Sequence, residues 1–226
     1  HEMVDHPFGV CAMLMLYGGL RRGEALAFDI DRDVDFDEGV IFVRHAVSYC
    51  TSHRGTIKGP KTEAGVRTIP LFNPLRTVLS GRHGLAFQAV NGQNTHSAFY
   101  KAWSSYINQM EALLNGCSKR WYGKSKAQQE LAAAGQLPPW QEITIRTHDF
   151  RHSFCTMCRD AYVPAEVLVQ WMGHKDDTMI RRIYDHVSDQ RRKEAKQNVE
   201  NEMSRIFGSE VQNEVQIQWK RIQKLT

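Results

Sequence analysis

The chain has 226 residues, 42% of them hydrophobic, which is enough for one large domain or two small ones around a filled core. Its longest apolar run, Phe8 to Leu20, is too short for a bilayer span and lacks a secretory layout, and its five cysteines (Cys11, Cys50, Cys117, Cys155, Cys158) are an odd set without framework spacing, so a reduced cytosolic protein with no membrane partner is expected. The net charge of +4 is uneven: residues 1–40 hold three basic and nine acidic side chains, residues 41–226 hold 26 and 16, a surplus that suits a polyanion-facing surface or, equally, a solvated surface of mixed sign.

Pro7, an apolar stretch to Tyr17 and then Gly18-Gly19 predict a buried helix with a glycine stop. Arg21 to Phe28 starts a second helix. Val40 to Tyr49, β-branched and aromatic, reads as a strand; Arg54-Gly55 turns it, Thr56 to Lys58 pairs back, and Val66 to Pro70 gives a third strand. Lys61 lies in the polar Pro60–Gly65 connection. Ser97 to Leu114, capped by Thr95 or Ser97, carries a stripe of Phe99, Ala102, Trp103, Tyr106, Ile107, Met110, Leu113 and Leu114. Gly116 to Trp140 is polar and interrupted, an inserted loop with a short helix at Ala127–Ala134.

Thr147 caps a helix whose core stripe is Phe154, Met157, Cys158 and Ala161. On it His148 and Arg151 sit roughly 60° apart on the flank of that stripe, so both point at something beside the core. Pro164 opens a helix ending at Gly173, which leaves His174 just past a C-cap. Asp177 or Thr178 caps a short helix carrying Tyr184. Asp189 to Phe207 is a charged helix with a thin apolar line. After Gly208-Ser209 a last amphipathic stretch shows Val211, Val215, Trp219, Ile222 and Leu225.

Two arginines, two histidines, a lysine and a tyrosine at turns and helix edges match what is needed to break and rejoin a phosphodiester through a tyrosine. Ionising Tyr184 at pH 7 costs roughly 4 kcal/mol from a free pKa near 10. A leaving 5′-oxygen, whose conjugate acid is about as weak as water, needs a proton donor more than the tyrosine needs a strong base. Charge building on the non-bridging oxygens needs fixed cations, and arginine stays charged and binds phosphate in a fork. Arg21 and Arg151 are the candidate clamps, His148 a proton exchanger, His174 a phosphate hydrogen-bonder and Lys61 the general acid. Each has a plainer reading: Tyr184 as a half-buried anchor, Arg21 as a surface partner of Glu24, the histidines as structural, Lys61 as an inert turn lysine. His148, His152, Cys155 and Cys158 have zinc-like spacing, but on one helix spanning about 15 Å of rise they cannot converge on one ion.

The runs GLRRGE, PKTEAGVR, THDFRHSF, WMGH and IYDHV, in that order between about Pro7 and Val187, resemble the active-site blocks of the tyrosine recombinases, the phage-integrase family. The resemblance implies that Arg21, Lys61, His148, Arg151, His174 and Tyr184 are the catalytic set, with Glu24 buttressing Arg21. It implies an α+β, mainly α fold: a helical catalytic domain with a small three-stranded antiparallel sheet, residues 1–187 with an insertion at about 115–142. Residues 188–226 form a C-terminal exchange tail that packs on a neighbouring subunit. The family's preceding helical core-binding domain is absent, and with His1 in place of Met this is expected of a fragment or processed product.

The implied activity is that of a mobile-element integrase, bacterial or phage-encoded and cytoplasmic, associated with the nucleoid when on DNA. Tyr184 forms a 3′-phosphotyrosyl bond and frees a 5′-hydroxyl, so the bond energy is stored and no cofactor or metal is required. The implied partners are double-stranded DNA and further copies of the chain, a tetramer when synapsed. A type IB topoisomerase, which religates the same strand, and a DNA-binding regulator with a degenerate site are the rivals. The tail argues against the first, and the six intact positions argue against the second.

Overall fold

The all-apolar run after Pro7 forms α1 (Gly9–Gly18), a helix buried on every side from Val10 to Met15 rather than along one stripe. It stops where expected, at Gly19, whose φ of 62° is left-handed and whose added Cβ would lie 2.4 Å from the Phe154 ring. Only glycine meets both conditions. In the computed structural model, residues 3–49, 55–59, 65–89 and 95–173 are described. Lys61, His174, Tyr184 and the tail from 188 to 226 lie outside them.

The second helix is α2 (Arg22–Ala27), tied to α1 by the Cys11 thiol, which donates to the Ala25 carbonyl at 3.4 Å. A turn of helix, α3 (Ile30–Asp33), and a two-residue strand, β1 (Val34–Asp35), follow without a clear sequence signal. The strand expected over Val40–Tyr49 is two strands, β2 (Val40–Val43) and β3 (Ala46–Tyr49). At the break Arg44 turns away to donate to the Arg32 carbonyl (3.0 Å) and stacks over Phe42, a tertiary contact that ends the ladder.

The three-stranded antiparallel sheet is therefore β1–β2–β5, with Ile41 opposite Ile69 and Val43 opposite Arg67 of β5 (Arg67–Pro70). Strand β3 pairs instead with β4 (Gly55–Lys58) in a separate ribbon. Pro74 then seeds α4 (Asn73–Leu79), not anticipated, which buries Leu75, Val78 and Leu79.

Thr95 caps α5 (His96–Asn115) by accepting the Ala98 N–H at 3.1 Å. Phe99 and Tyr106 are buried and ring Phe8 edge-on together with Phe87 and Trp103, whereas Leu113 and Leu114 at the far end are exposed. The insertion holds α6 (Lys126–Ala133), with no buried residue. Helix α7 (Thr147–Asp160) is capped by Arg146 rather than Thr147, through Asp149 at its third position. Its buried line is Arg151, Phe154, Cys155 and Cys158; Met157 and Ala161, assigned to the core from sequence, are exposed. The spacing i, i+3, i+4, i+7 starts on an arginine, and a charged residue was the one least expected to begin a core stripe. Helix α8 (Ala165–Met172) follows Pro164 and ends at Gly173 with φ 61°. No helix among the described residues is long and apolar enough to cross a membrane.

Candidate active site

Glu24 is the hub. It stands at the third position of α2, where a carboxylate favours the helix N-terminus, and only 7% of its surface is exposed. Its Oε2 accepts the Arg21 backbone N–H at 2.7 Å and Arg67 Nη2 at 2.7 Å; its Oε1 accepts Arg21 Nη1 and Arg67 Nη1, both at 2.9 Å. Four donors saturate the roughly four lone-pair sites of one carboxylate. Burial pushes the Glu24 pKa up, but the hydrogen bonds and charge of Arg67, and then of Arg21, outweigh it and hold the group below the ordinary carboxylate value.

The C-terminal end of α8 meets the same arginines. The Trp171 carbonyl accepts from Arg67 Nε at 2.6 Å, the Met172 carbonyl from Arg151 Nη2, and the Gly173 carbonyl from Arg21 Nη2 at 2.8 Å. Three consecutive carbonyls, at the end where a helix leaves such groups unpaired and its dipole is negative, thus each receive a different guanidinium. Arg151 also donates through Nη1 to the Gly19 carbonyl, so one side chain from α7 bridges the α1 stop and the α8 stop.

Around a single carboxylate the cluster gathers three cations. Arg67 and Arg151 are buried, while the Arg21 side chain is 42% exposed and is the member that reaches solvent. Burial, then the neighbouring Arg21 and Arg67 charges, push Arg151 down to about 9, against the partial support of Glu24. It is still a cation at neutral pH, and an anion arriving beside it is favoured for the same reasons.

Of the residues singled out from sequence, Arg21, Glu24 and Arg151 come together here. His148 does not share their burial: it stands exposed in the first turn of α7, its ring edge-on to His152 at 4.6 Å. Partial desolvation, then the His152 and Arg151 charges, lower its pKa, so the neutral imidazole that can take a proton prevails near pH 7. The expectation that His148 and Arg151 point together beside the core is corrected accordingly: Arg151 points inward. Lys61, His174 and Tyr184 fall outside the described residues, although Gly173, which precedes His174, is held by Arg21.

Arg67 was missed as an individual residue. The signal was present, since alternation with buried Ile69 puts position 67 on the inner face of β5, and a buried Glu24 requires cations to balance it.

Residues 5–191 match the model of the phage integrase family. The transposase of transposon Tn916 from Enterococcus faecalis is 25% identical over 185 residues, covering 78% of this chain and 41% of that protein. The prophage integrase IntR of Escherichia coli K12 is 26% identical over 175 residues, covering 75% and 40%. The chain spans about two fifths of the length of these curated relatives. Among solved structures, the Tn1549 transposon integrase in complex with transposon right end DNA superposes with a TM-score of 0.60 at 22% identity, over 85% of this chain and 58% of that one. It has the same fold.

Proposed function

Because the chain belongs to the phage integrase family, with residues 5–191 matched, we propose that it is the catalytic part of a site-specific recombinase that cuts and rejoins duplex DNA. The observation that carries this reading is the cluster of Arg21, Arg67 and Arg151 around Glu24 at the ends of α1 and α8. Such a cluster provides pre-set positive charge, which a phosphoryl-transfer transition state needs on its non-bridging oxygens.

In this reading the Tyr184 oxygen attacks the scissile phosphorus and the bond to the 5′-oxygen breaks. Lys61 gives that oxygen a proton, and the 3′-phosphotyrosyl bond conserves the energy of the broken one. The 5′-hydroxyl of a partner strand then attacks the phosphotyrosyl and frees Tyr184. His148, uncharged near pH 7, exchanges protons with the tyrosine or the phosphate, and His174 hydrogen-bonds a phosphate oxygen. Neither metal nor nucleotide enters the scheme. Double-stranded DNA is the proposed partner, with copies of the chain assembling on paired sites and the 188–226 tail joining them.

Covalent capture tests the proposal. The protein is incubated with a library of nicked duplexes of randomised sequence, and SDS-resistant adducts are recovered. Wild type should yield an enriched sequence attached to the peptide carrying Tyr184, and Tyr184→Phe should yield none. No adduct, or one on another tyrosine, overturns the assignment. Paired copies of the captured duplex then separate strand exchange from religation of the same strand. Removing residues 208–226 should spare single-site binding but impair exchange.

A further inference from the structure

We propose that Arg67 is a positioning residue for strand cleavage: it fixes the Glu24 carboxylate that orients Arg21, and it pins the α8 terminus from which the chain runs on to His174. The inference rests on the recombinase reading above and deepens it by naming what sets its machinery.

The geometry assigns Arg67 two tasks with one side chain. Its two Nη atoms form a fork on Glu24, at 2.9 and 2.7 Å, while Nε donates to the Trp171 carbonyl at 2.6 Å. The fork matters because Glu24 faces two cations at once. Arg21 donates to Oε2 through its backbone and to Oε1 through its half-exposed side chain, and the buried Arg67 fork adds a second donor to each oxygen from a side chain that is itself fixed, so the carboxylate stays in place while Arg21 turns to a ligand. The Nε bond matters because Arg67 grips the first of the three terminal α8 carbonyls, Arg151 the second and Arg21 the third. The side chain is only 4% exposed, and its place opposite Val43 on the inner face of β5 fixes where it enters the cluster. A lysine keeps the charge but offers no planar fork, so it can supply at most one of these bonds in the same geometry.

Arg67 therefore acts through other groups. The groups facing Glu24 are Arg21 at the start of α2, Arg67 from β5 and, through its charge, Arg151 from α7. Taking Arg67 away leaves burial opposed mainly by Arg21, so Glu24 should protonate at a higher pH than in the wild type. Cleavage that depends on an ionised Glu24 then acquires an acid limb closer to neutrality. A residue that merely helps the domain fold has no such effect.

The test compares wild type, Arg67→Met, Arg67→Lys, Glu24→Gln and the double variant Glu24→Gln/Arg67→Met on the duplex captured by the wild type. Arg67→Met should slow single-turnover cleavage by about 10- to 100-fold, the scale expected for misplaced catalytic groups. Its DNA affinity should change by no more than about twofold, and Arg67→Lys should recover little of the rate. The Glu24 component of the acid limb, distinct from the one His148 contributes, should move to higher pH in Arg67→Met and be absent in the double variant, which has no carboxylate at position 24 to titrate. The double variant should be more stable than Arg67→Met yet no faster than Glu24→Gln. Where Arg67→Met is too unstable to assay, Arg67→Lys and the double variant carry the comparison.

A DNA-free arm uses hydrogen exchange: amides of Val169 to Gly173 should exchange faster in Arg67→Met than in wild type at equal global stability. An unmoved acid limb, additive losses in the double variant, or recovery of rate along with stability overturns the positioning role. Failure of wild type to capture any duplex overturns the recombinase reading instead, while unchanged exchange over 169–173 removes the α8 half on its own.

Discussion

The turn from Gly18 to Glu24 and the insertion from Gly116 to Trp140 are both charged interruptions between helices, and they are built on opposite principles. In the turn, Glu24 is buried and its four hydrogen bonds come from two arginines that also close the end of α8. In the insertion the charges stay at the surface. Arg120 and Lys124 lie over the exposed Trp121 ring at 5.5 and 5.6 Å, and Lys119 meets Glu142 at 2.5 Å with both side chains mostly in water. Charged side chains thus form a buried, mutually paired cluster in one place and a solvated surface in the other. A buried pair loses several kcal/mol when one member is removed, whereas exposed pairs are nearly neutral, so only the first can be relied on to hold geometry.

The contrast can be broken most forcefully at Glu24. Glu24→Ala leaves Arg67 buried without its carboxylate and should cost about 3–5 kcal/mol in denaturant unfolding. A loss below about 1 kcal/mol would put the pair in the same class as the surface ones. Next comes Gly19→Ala, with a left-handed φ of 62° and a Cβ 2.4 Å from Phe154. It should cost about 1–3 kcal/mol by strain and overpacking, read from the same unfolding curve.

Acid should weaken the buried cluster through Glu24. The folded Glu24 pKa lies below the ordinary 4.5, so the folded state binds fewer protons than the unfolded one as acid is added. Its contribution is present above pH 4.5 and is lost as pH falls through the folded value. Glu24→Gln should flatten that acid decline, and an unchanged slope would mean that other carboxylates cause it. The smallest effect is expected in the insertion, where Trp121→Ala should change stability by no more than about 0.5 kcal/mol. A loss of several kcal/mol there would show that the arm is held as firmly as the turn.

What was legible in the sequence follows the same division. The α1 stop, the cap of α5 and the α8 stop were readable because Gly18-Gly19, Thr95 and Gly173 act within a few residues of themselves. Arg21, Glu24 and Arg151 were readable from their motifs. The break between β2 and β3 was not, because it depends on Arg44 reaching Arg32. Nor was the inward turn of Arg151 or the part played by Arg67. A charged side chain is assigned to the surface until its partners are known, and here they are backbone carbonyls 21 to 132 residues away and a carboxylate 43 residues away.

In the proposed reaction the arginine cluster acts as fixed positive charge for one phosphate, and Arg21, the exposed member, reaches it. The most direct measurement compares wild type and Arg21→Ala on two versions of the captured duplex, one with the natural scissile phosphodiester and one with an uncharged methylphosphonate there. On the phosphodiester Arg21→Ala should lose roughly 10²–10³-fold in cleavage rate, as for removal of one donor from a preorganised anion site. On the methylphosphonate, where there is less charge to neutralise, it should cleave at close to the wild-type rate. An equal deficit on both substrates would contradict the claim and leave Arg21 as a structural partner of Glu24.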